Sequence, residues 1–296
     1  MIFDKLKTLD KNIQISIIGH NNPDVDSIFS SLLLVNYLKL LGFKNSNLYI
    51  EDDKIEKETL EIIKIILKDF NLENYKNLSE NIILIDHTKE YCNKNLIGII
   101  DHHPPFNWIN GYIYNRQACS SSCVLMDLIK NDILFEKFLT KENIDMFLVS
   151  GIIDCDNFRN PKTVLSDKEM ILQYSKTISY FDELVKIADR DTDVSNINYA
   201  ARHGLKEYYL SDKIIKVSYI MISEESSNLE SLLINEIKKS LLNEYLWAII
   251  IINKSSLNSK VIEVYNDKIE YIYFDKLISR GTDYIPMLKL KVKESL

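Results

Sequence analysis

One short segment combines an imidazole with two carboxylates. In Gly19-His20-Asn21-Asn22-Pro23-Asp24-Val25-Asp26-Ser27, the side chains of His20, Asp24 and Asp26 fall within seven residues. Imidazole and carboxylate ligands together suit a divalent metal of intermediate hardness, such as manganese, cobalt or iron, better than they suit calcium. The alternative is that Asp24 and Asp26 only cap a helix that begins near Ser27. Both interpretations stay open for this segment taken alone.

Similar groups follow two other apolar strands. Residues 13–19 are typical of a buried strand, as are residues 82–85 and 96–100. The second strand is followed by Asp86-His87 and the third by Asp101-His102-His103, so that four of the five histidines follow strands. Parallel strands have their carboxyl ends on one edge of a sheet, where ligand sites form. We therefore expect these side chains to converge.

Two helix ends extend this pattern. A helix predicted over residues 119–130 follows the serine-rich turn Ser120-Ser121-Ser122, which could simply cap it or could offer backbone N–H groups to an anion. An apolar helix predicted over residues 143–153 ends at Asp154, which is either a cap or a metal ligand. The neighbouring acidic and imidazole groups favour the second role for Asp154.

Composition limits the classes of function. The chain has 296 residues, 46% of them hydrophobic and 27% charged, as in an ordinary globular protein with about two domains. The net charge of -7 and the pI of about 5.4 provide no basic face, which argues against binding of duplex nucleic acid. No apolar stretch reaches the roughly 20 residues that a membrane span needs, so no membrane partner is expected.

The cysteines predict no disulfide. Cys92, Cys119, Cys123 and Cys155 form no C-x-x-C pair, and no signal peptide is recognised. A zinc site at Cys119 and Cys123 would lack further ligands nearby. We therefore expect buried free thiols in a reduced, cytoplasmic protein.

The hydrophobic pattern changes at about residue 200. Before it, strands alternate with helices and predict an α/β domain with a parallel sheet and helices on both faces. After it, a smaller α+β domain is predicted, with a helix over residues 229–243 and strands over 214–222, 247–252, 260–265 and 269–274. The predicted boundaries are 1–176 for the first domain, 177–200 for a linker and 201–296 for the second domain.

Four motifs in order resemble those of the DHH phosphoesterase superfamily over about residues 13–170. These motifs are Gly19-His20-x-x-Pro23-Asp24-x-Asp26-Ser27, Asp86-His87, Asp101-His102-His103 and Asp154. The C-terminal part resembles the DHHA2-type second domain of family II manganese-dependent inorganic pyrophosphatases, exopolyphosphatases and prune-like proteins. Leu205-Lys206-Glu207-Tyr208 and Ile278-Ser279-Arg280-Gly281 carry that second resemblance.

The resemblance implies two divalent metal ions, with manganese expected first and cobalt or magnesium as alternatives. One ion would be held by His20 and Asp24. The other ion would be held by Asp26, His102 and Asp154. Asp86 would bridge the two ions.

The resemblance also implies groups that contact the substrate. His103 would act as a phosphate ligand or proton donor, while Lys206, Ser279 and Arg280 would reach the phosphates from the second domain. Gly281 stands where the family has a lysine, so one expected cation is missing. Dimers occur in the family, so a homodimer is a further expectation.

The implied function is hydrolysis of a small anionic phosphate substrate. The leading hypothesis is an inorganic pyrophosphatase that uses two metal ions and a bridging hydroxide. An exopolyphosphatase acting on short polyphosphate is the first alternative. An oligonucleotide or cyclic-dinucleotide phosphodiesterase is a third hypothesis, and a low-turnover regulatory protein that binds metal and phosphate is a fourth.

Overall fold

The structure is a computed structural model, and it describes residues 2–52, 55–87, 94–103, 112–160, 163–178, 180–188, 190–210, 213–241, 244–266 and 268–294. Its strands are β1 (Ile15–Ile18), β2 (Ser46–Tyr49), β3 (Asn81–Ile85), β4 (Asn95–Asp101), β5 (Tyr112–Asn115), β6 (Lys206–Leu210), β7 (Lys213–Ile222), β8 (Leu246–Asn253), β9 (Asn258–Val264) and β10 (Ile269–Phe274).

The helices lie between and beside these strands. They are α1 (Ile2–Lys7), α2 (Val25–Leu40), α3 (Lys57–Ile66), α4 (Ser121–Ile129), α5 (Phe135–Phe138), α6 (Lys141–Asp154), α7 (Leu165–Ser175), α8 (Phe181–Ala188), α9 (Ile197–Arg202), α10 (Leu229–Ser240) and α11 (Ile285–Glu294). A 3-10 turn covers Leu72–Tyr75, and a π-helical turn covers Arg280–Tyr284. The described helices include none with the length and apolar character of a membrane span.

The chain divides into two compact units. The first consists of Met1–Phe158 with Lys162–Ala188, and the second consists of Arg159–Pro161 with Asp189–Leu296. The predicted linker region, residues 177–200, contains helix α8 of the first unit and the start of helix α9 of the second.

The first unit is built on a parallel sheet with the strand order β2-β1-β3-β4-β5. Ile17 and Ile83 pack into the main core with the apolar side chains of α2, α4 and α6. Ile18 and Leu84 point to the opposite face and form a smaller cluster. The predicted parallel sheet flanked by helices is confirmed. The chain passes from β1 to the edge strand β2 and returns to β3 on the other side of β1. Ligands bind at such a switch point in open α/β sheets.

Sequence analysis did not predict strand β5, helix α5 or helix α7 of this unit. Strand β5 has only four residues, and none of them is fully buried, so its apolar signal is weak. Helix α7 is polar on most of its surface and buries only Asp167, Ile171 and Ser175.

The second unit is built on a mixed sheet with the order β10-β9-β8-β7-β6. Strands β7 and β8 are parallel, whereas the other neighbouring strands run antiparallel. Helix α10 packs with Ile220 and Ile249 on one face, and Leu288 of α11 packs with Val217 and Ile250 on the other. The predicted smaller α+β domain is therefore present.

The cysteines agree with the prediction of free thiols. Cys119, Cys123 and Cys155 are buried and take part in no disulfide. Cys92 lies outside the described residues, so the prediction for that thiol stays a prediction.

Candidate metal centre

The loop between β1 and α2 brings His20 and Asp24 together. A Cβ on Gly19 would lie 1.9 Å from Ser27 Oγ, so glycine is needed for the close approach of the strand end to the helix. Asp24 caps α2, because its Oδ1 accepts the Ser27 N–H at 2.9 Å. Its other oxygen, Oδ2, lies 3.2 Å from His20 Nε2. The two interpretations of Asp24 are therefore compatible, since one oxygen caps the helix while the other faces the imidazole.

Asp86 lies at the end of β3 and faces three histidines. Its backbone is left-handed, with a φ of 52°, a region that aspartate tolerates better than most residues with a Cβ. Oδ2 lies 3.5 Å from His20 Nε2, and Oδ1 lies 3.3 Å from both His102 Nε2 and His103 Nδ1. One buried carboxylate thus presents its two oxygens to different imidazoles.

A second group forms around His102, which follows β4. Its Nε2 lies 3.6 Å from Asp154 Oδ2 and 3.9 Å from Asp26 Oδ2. Asp154 is the last residue of α6, and Asp26 lies in the first turn of α2. The ligand atoms of these three residues lie within 4.8 Å of one another, as do those of His20, Asp24 and Asp86. The structure therefore brings the six predicted metal ligands into two groups, with Asp86 in contact with both.

The ring orientations of the two histidines fit metal ligation. His20 Nδ1 lies 2.7 Å from the carbonyl oxygen of Asn21, and His102 Nδ1 lies 3.2 Å from that of Ala118. A carbonyl oxygen only accepts, so Nδ1 carries the proton in both rings. In a neutral ring the Nε2 lone pair then points at carboxylate oxygens, which repel it unless a cation lies between them. Imidazole Nε2 and carboxylate oxygens are suitable ligands for that cation.

Helix α4 supports this centre with its N-terminus. The backbone N–H groups of Ser121 and Ser122 donate to Asp26 at 2.7 and 3.3 Å, and Ser121 Oγ lies 3.3 Å from Asp86 Oδ1. Ser120 caps the helix by accepting the Cys123 N–H at 3.2 Å. The serine-rich turn therefore has both predicted roles, and the anion that it binds is the protein's own carboxylate.

Burial and charge shift the two central carboxylates in opposite directions. Burial, together with the charges of Asp86 and Asp154, raises the pKa of Asp26 well above its usual value. Burial acts in the same direction on Asp86, but protonated imidazoles oppose it: a hydrogen bond from protonated His102 and the charges of His20 and His103 hold the pKa of Asp86 well below the usual value. Asp86 is thus the carboxylate that stays ionised most readily in the metal-free protein.

His103 forms a pair with Asp101, a residue to which sequence analysis gave no role. Asp101 Oδ1 accepts the backbone N–H groups of His102 and His103 at 2.7 and 3.1 Å, and it lies 2.9 Å from His103 Nδ1. Asp86, Asp101, His102 and His103 make a further group whose ligand atoms lie within 4.8 Å of one another. Sequence analysis could have singled out Asp101, because an aspartate lies at the end of both β3 and β4 and Asp101 occupies the position at β4 that Asp86 occupies at β3.

The other histidines occupy different surroundings. His87 follows Asp86 in sequence and is buried, but it belongs to none of the three ligand groups found among the described residues. His203 lies in the second unit, where its Nδ1 is 3.0 Å from the Tyr219 carbonyl oxygen and its ring packs against Tyr199 and Tyr219.

The predicted phosphate-binding residues lie within the second unit. Lys206 begins β6, where it pairs with Val217 of β7. The Arg280 guanidinium donates to the carbonyl oxygen of Gly204, lies 3.4 Å from that of Val217 and sits 5.6 Å above the Tyr219 ring. The structure thus brings Arg280 to the strand pair that carries Lys206. Ser279 precedes the π-helical turn and is buried.

Comparison with known proteins agrees with this geometry. Residues 14–152 match the family model described as the DHH family, N-terminal domain. These residues belong to the DHH family. The predicted superfamily is thereby confirmed. Five of the six residues in the two ligand groups fall within the matched range, and Asp154 lies just beyond it.

Relatives extend the comparison beyond this domain. A protein of Clostridium acetobutylicum named probable manganese-dependent inorganic pyrophosphatase is 28% identical over 225 residues, which cover 70% of this chain and 69% of the relative. A Methanococcus jannaschii protein described as a family II inorganic pyrophosphatase superposes with a TM-score of 0.72, 20% identity and coverage of 94% of this chain and 99% of that one. An exopolyphosphatase-related protein of Bacteroides fragilis superposes with a TM-score of 0.51, 14% identity and coverage of 99% and 96%. Both structural likenesses show the fold alone.

Proposed function

We propose that the chain is a manganese-dependent hydrolase that converts inorganic pyrophosphate and water into two phosphates. The observation that carries this proposal is the sharing of Asp86 between two ligand groups, with Oδ2 facing His20 and Oδ1 facing His102. A bound pair of divalent ions would lower the pKa of water and neutralise phosphate oxygens. The name of the Clostridium acetobutylicum relative supports both manganese and the substrate.

The chain's own residues have distinct tasks in this proposal. His20 and Asp24 would hold one ion, while Asp26, His102 and Asp154 would hold the other. Asp86 would supply one carboxylate oxygen to each group. An imidazole held through Nδ1 presents Nε2 on its opposite side, so the Asp101–His103 contact of 2.9 Å orients His103 to hold a proton at Nε2 for the departing phosphate.

The substrate is tested by a direct assay. Purified protein with manganese is given pyrophosphate, tripolyphosphate, long polyphosphate and a dinucleotide, and the released phosphate or nucleotide is measured. Dominant turnover of pyrophosphate supports the proposal. Preference for longer chains would identify an exopolyphosphatase, cleavage of the dinucleotide would identify a phosphodiesterase, and metal binding without turnover would favour a regulatory protein.

Arg280 provides a test of the second unit. We propose that Arg280, with Lys206 and Ser279, binds phosphate groups of the substrate, as the family resemblance implies. Arg280→Ala should raise KM for pyrophosphate about 10- to 150-fold, since a charge-assisted contact to phosphate is worth roughly 1.5–3 kcal/mol. Lys276→Ala is the matched control, because Lys276 is an exposed cation that pairs with Asp283. An unchanged KM for Arg280→Ala would remove this residue from substrate binding.

A further inference from the structure

Asp26 receives a third hydrogen bond from a residue to which nothing above gives a role. Ser150 lies in α6, is fully buried, and its Oγ donates to Asp26 Oδ1 at 2.5 Å. The residues are 124 positions apart in sequence, and the contact joins α6 to α2 directly beneath the candidate metal centre. A hydroxyl at this position therefore acts on a predicted metal ligand and on no other charged group in the described contacts.

Ser150 is the last link of a chain of hydroxyl groups. Ser150 Oγ lies 2.9 Å from Ser122 Oγ, and Ser122 Oγ lies 2.7 Å from Ser120 Oγ. Ser120 Oγ accepts the backbone N–H of Cys123 at 3.2 Å. Ser120, Ser122 and Ser150 are fully buried. Water is thereby excluded as an alternative partner, so the direction of each bond follows from the groups themselves.

The direction of the chain is fixed at its Asp26 end. With a metal ion bound, Asp26 is an ionised acceptor, so the proton between Ser150 and Asp26 belongs to Ser150. Each hydroxyl carries one proton, and therefore Ser122 donates to Ser150. The Ser120 hydroxyl lies 2.7 Å from Ser122 Oγ and 3.3 Å from Cys123 Sγ, and either can accept its proton. Donors aligned in this way polarise one another and strengthen the final bond to the carboxylate.

The donors are distributed unequally over the two oxygens of Asp26. Oδ1 accepts Ser150 Oγ and the Ser122 N–H, whereas Oδ2 accepts only the Ser121 N–H. Oδ2 is also the oxygen that faces His102 Nε2, at 3.9 Å. A carboxylate oxygen offers two lone pairs, so Oδ1 is occupied and Oδ2 retains one free direction.

We infer that Ser150 is a positioning residue that restricts Asp26 to a ligand with one coordinating oxygen, Oδ2. This inference rests on the proposed function, because it needs Asp26 to bind a metal ion. Loss of the Ser150 hydroxyl frees Oδ1 and allows the carboxylate to rotate. The affinity of the site containing Asp26, His102 and Asp154 for Mn²⁺ then falls, while the site of His20 and Asp24 keeps its affinity.

The test measures Mn²⁺ binding and not turnover. Metal-free protein is titrated with Mn²⁺, and free Mn²⁺ is followed by its electron paramagnetic resonance signal. Ser150→Ala should weaken one of two sites 10- to 100-fold, the usual range for loss of a group that orients a ligand. Ser122→Ala, which removes the previous link, should weaken the same site less, by about 2- to 5-fold.

Two controls separate this role from packing. Ser46→Ala removes another buried hydroxyl, one that bonds the Phe43 carbonyl oxygen at 2.9 Å, and it should leave both affinities within about twofold. Ser150→Cys nearly preserves side-chain volume but replaces the hydroxyl by a weak donor. It should lose affinity as Ser150→Ala does, whereas a packing role predicts wild-type affinity for the cysteine variant.

Asp26→Ala tells the two possible failures apart. If this variant still binds two Mn²⁺ ions with normal affinity, the proposed metal centre is wrong. If it loses one ion while Ser150→Ala and Ser150→Cys bind both normally, the centre stands and the inference about Ser150 is overturned. Circular dichroism verifies that each titrated variant is folded, and Ser122→Ala decides the question if neither Ser150 variant folds.

Discussion

Each unit of the molecule buries acidic groups, but Glu263 in the second unit has a lysine partner, whereas the described contacts of Asp26 and Asp86 in the first unit include no lysine or arginine. In the second unit, fully buried Glu263 accepts hydrogen bonds from the hydroxyls of Tyr265 and Tyr284, both at 2.8 Å, and from Lys291 Nζ at 2.6 Å. In the first unit, Asp26 and Asp86 are buried beside two further carboxylates and share only imidazoles and neutral donors. A closed group such as that of Glu263 stabilises a fold, whereas an unbalanced one requires a cation.

The partners of Glu263 show how such a group is closed. Burial and the neighbouring Glu263 raise the pKa of Tyr284, so its hydroxyl remains a donor. Lys291 also donates to Glu270 at 2.5 Å, and hydrogen bonds from Lys268 and Lys291 lower the pKa of Glu270 to about 2. This network connects β9, β10 and α11, the helix that follows the Arg280 turn. Its role is therefore to fix elements of the second unit in place.

Among the substitutions that test this difference between the two units, Asp86→Ala should have the largest effect. Asp86→Ala removes both oxygens that face His20 and His102, so we expect loss of Mn²⁺ binding and a fall in turnover of at least about 10³-fold, or about 4 kcal/mol. Asp69→Asn is the control, because Asp69 is an exposed carboxylate of the same unit. Turnover of Asp86→Ala within tenfold of the wild type would show that Asp86 does not bridge the ions.

Removal of metal should affect the two units differently. Saturating Mn²⁺ at about 100 times its Kd stabilises the unit that binds it by about 2.7 kcal/mol. Hydrogen exchange measured by mass spectrometry should show slower exchange in β1, β3 and β4 with Mn²⁺ than with a chelator. Strands β8 and β9 serve as the internal control, and we expect their exchange to be unchanged. Equal protection of both sheets would mean that the first unit does not bind the ion selectively.

Substitution of Glu263 should lower the stability of the second unit without changing Mn²⁺ binding. Glu263→Gln replaces one acceptor oxygen by an NH₂ donor and removes the negative charge that pairs with Lys291, so the second unit should lose about 2–3 kcal/mol of unfolding free energy. Glu270→Gln is the matched control: Glu270 is much more exposed than Glu263, and its loss should cost less than about 1 kcal/mol. Urea unfolding measures both values. A fall in Mn²⁺ affinity in Glu263→Gln would contradict the assignment of a purely structural role.

The difference between these two buried groups also explains which functional residues could be predicted from the sequence. The predicted ligands Asp86, His102 and Asp154 lie at the ends of apolar strands or of a helix, and the alignment of parallel strand ends made their convergence predictable from the sequence. Ser150 and Glu263 gave no such signal, because Asp26, Tyr284 and Lys291 are remote from them in sequence and because both residues lie inside elements with an ordinary apolar pattern. Contacts that depend on how helices and strands pack, such as Ser150 with Asp26, become visible only in the folded chain.

The smallest expected effect concerns the pH dependence of the metal-free first unit. The folded-state pKa of Asp26 is raised, so its contribution to stability is complete below the unfolded value near 3.8 and is lost as pH rises through the folded value. The pKa of Asp86 is lowered, and its contribution is lost only as pH falls below about 3.8. Between pH 5 and 7 the raised pKa of Asp26 therefore acts to lower the unfolding free energy as pH rises. Urea unfolding at both pH values measures this fall, and excess Mn²⁺ should abolish or reverse it because ligation requires the ionised carboxylate. A metal-free protein whose stability rises over this range would show that Asp26 is already ionised, and that its three hydrogen-bond donors outweigh the repulsion from Asp86 and Asp154.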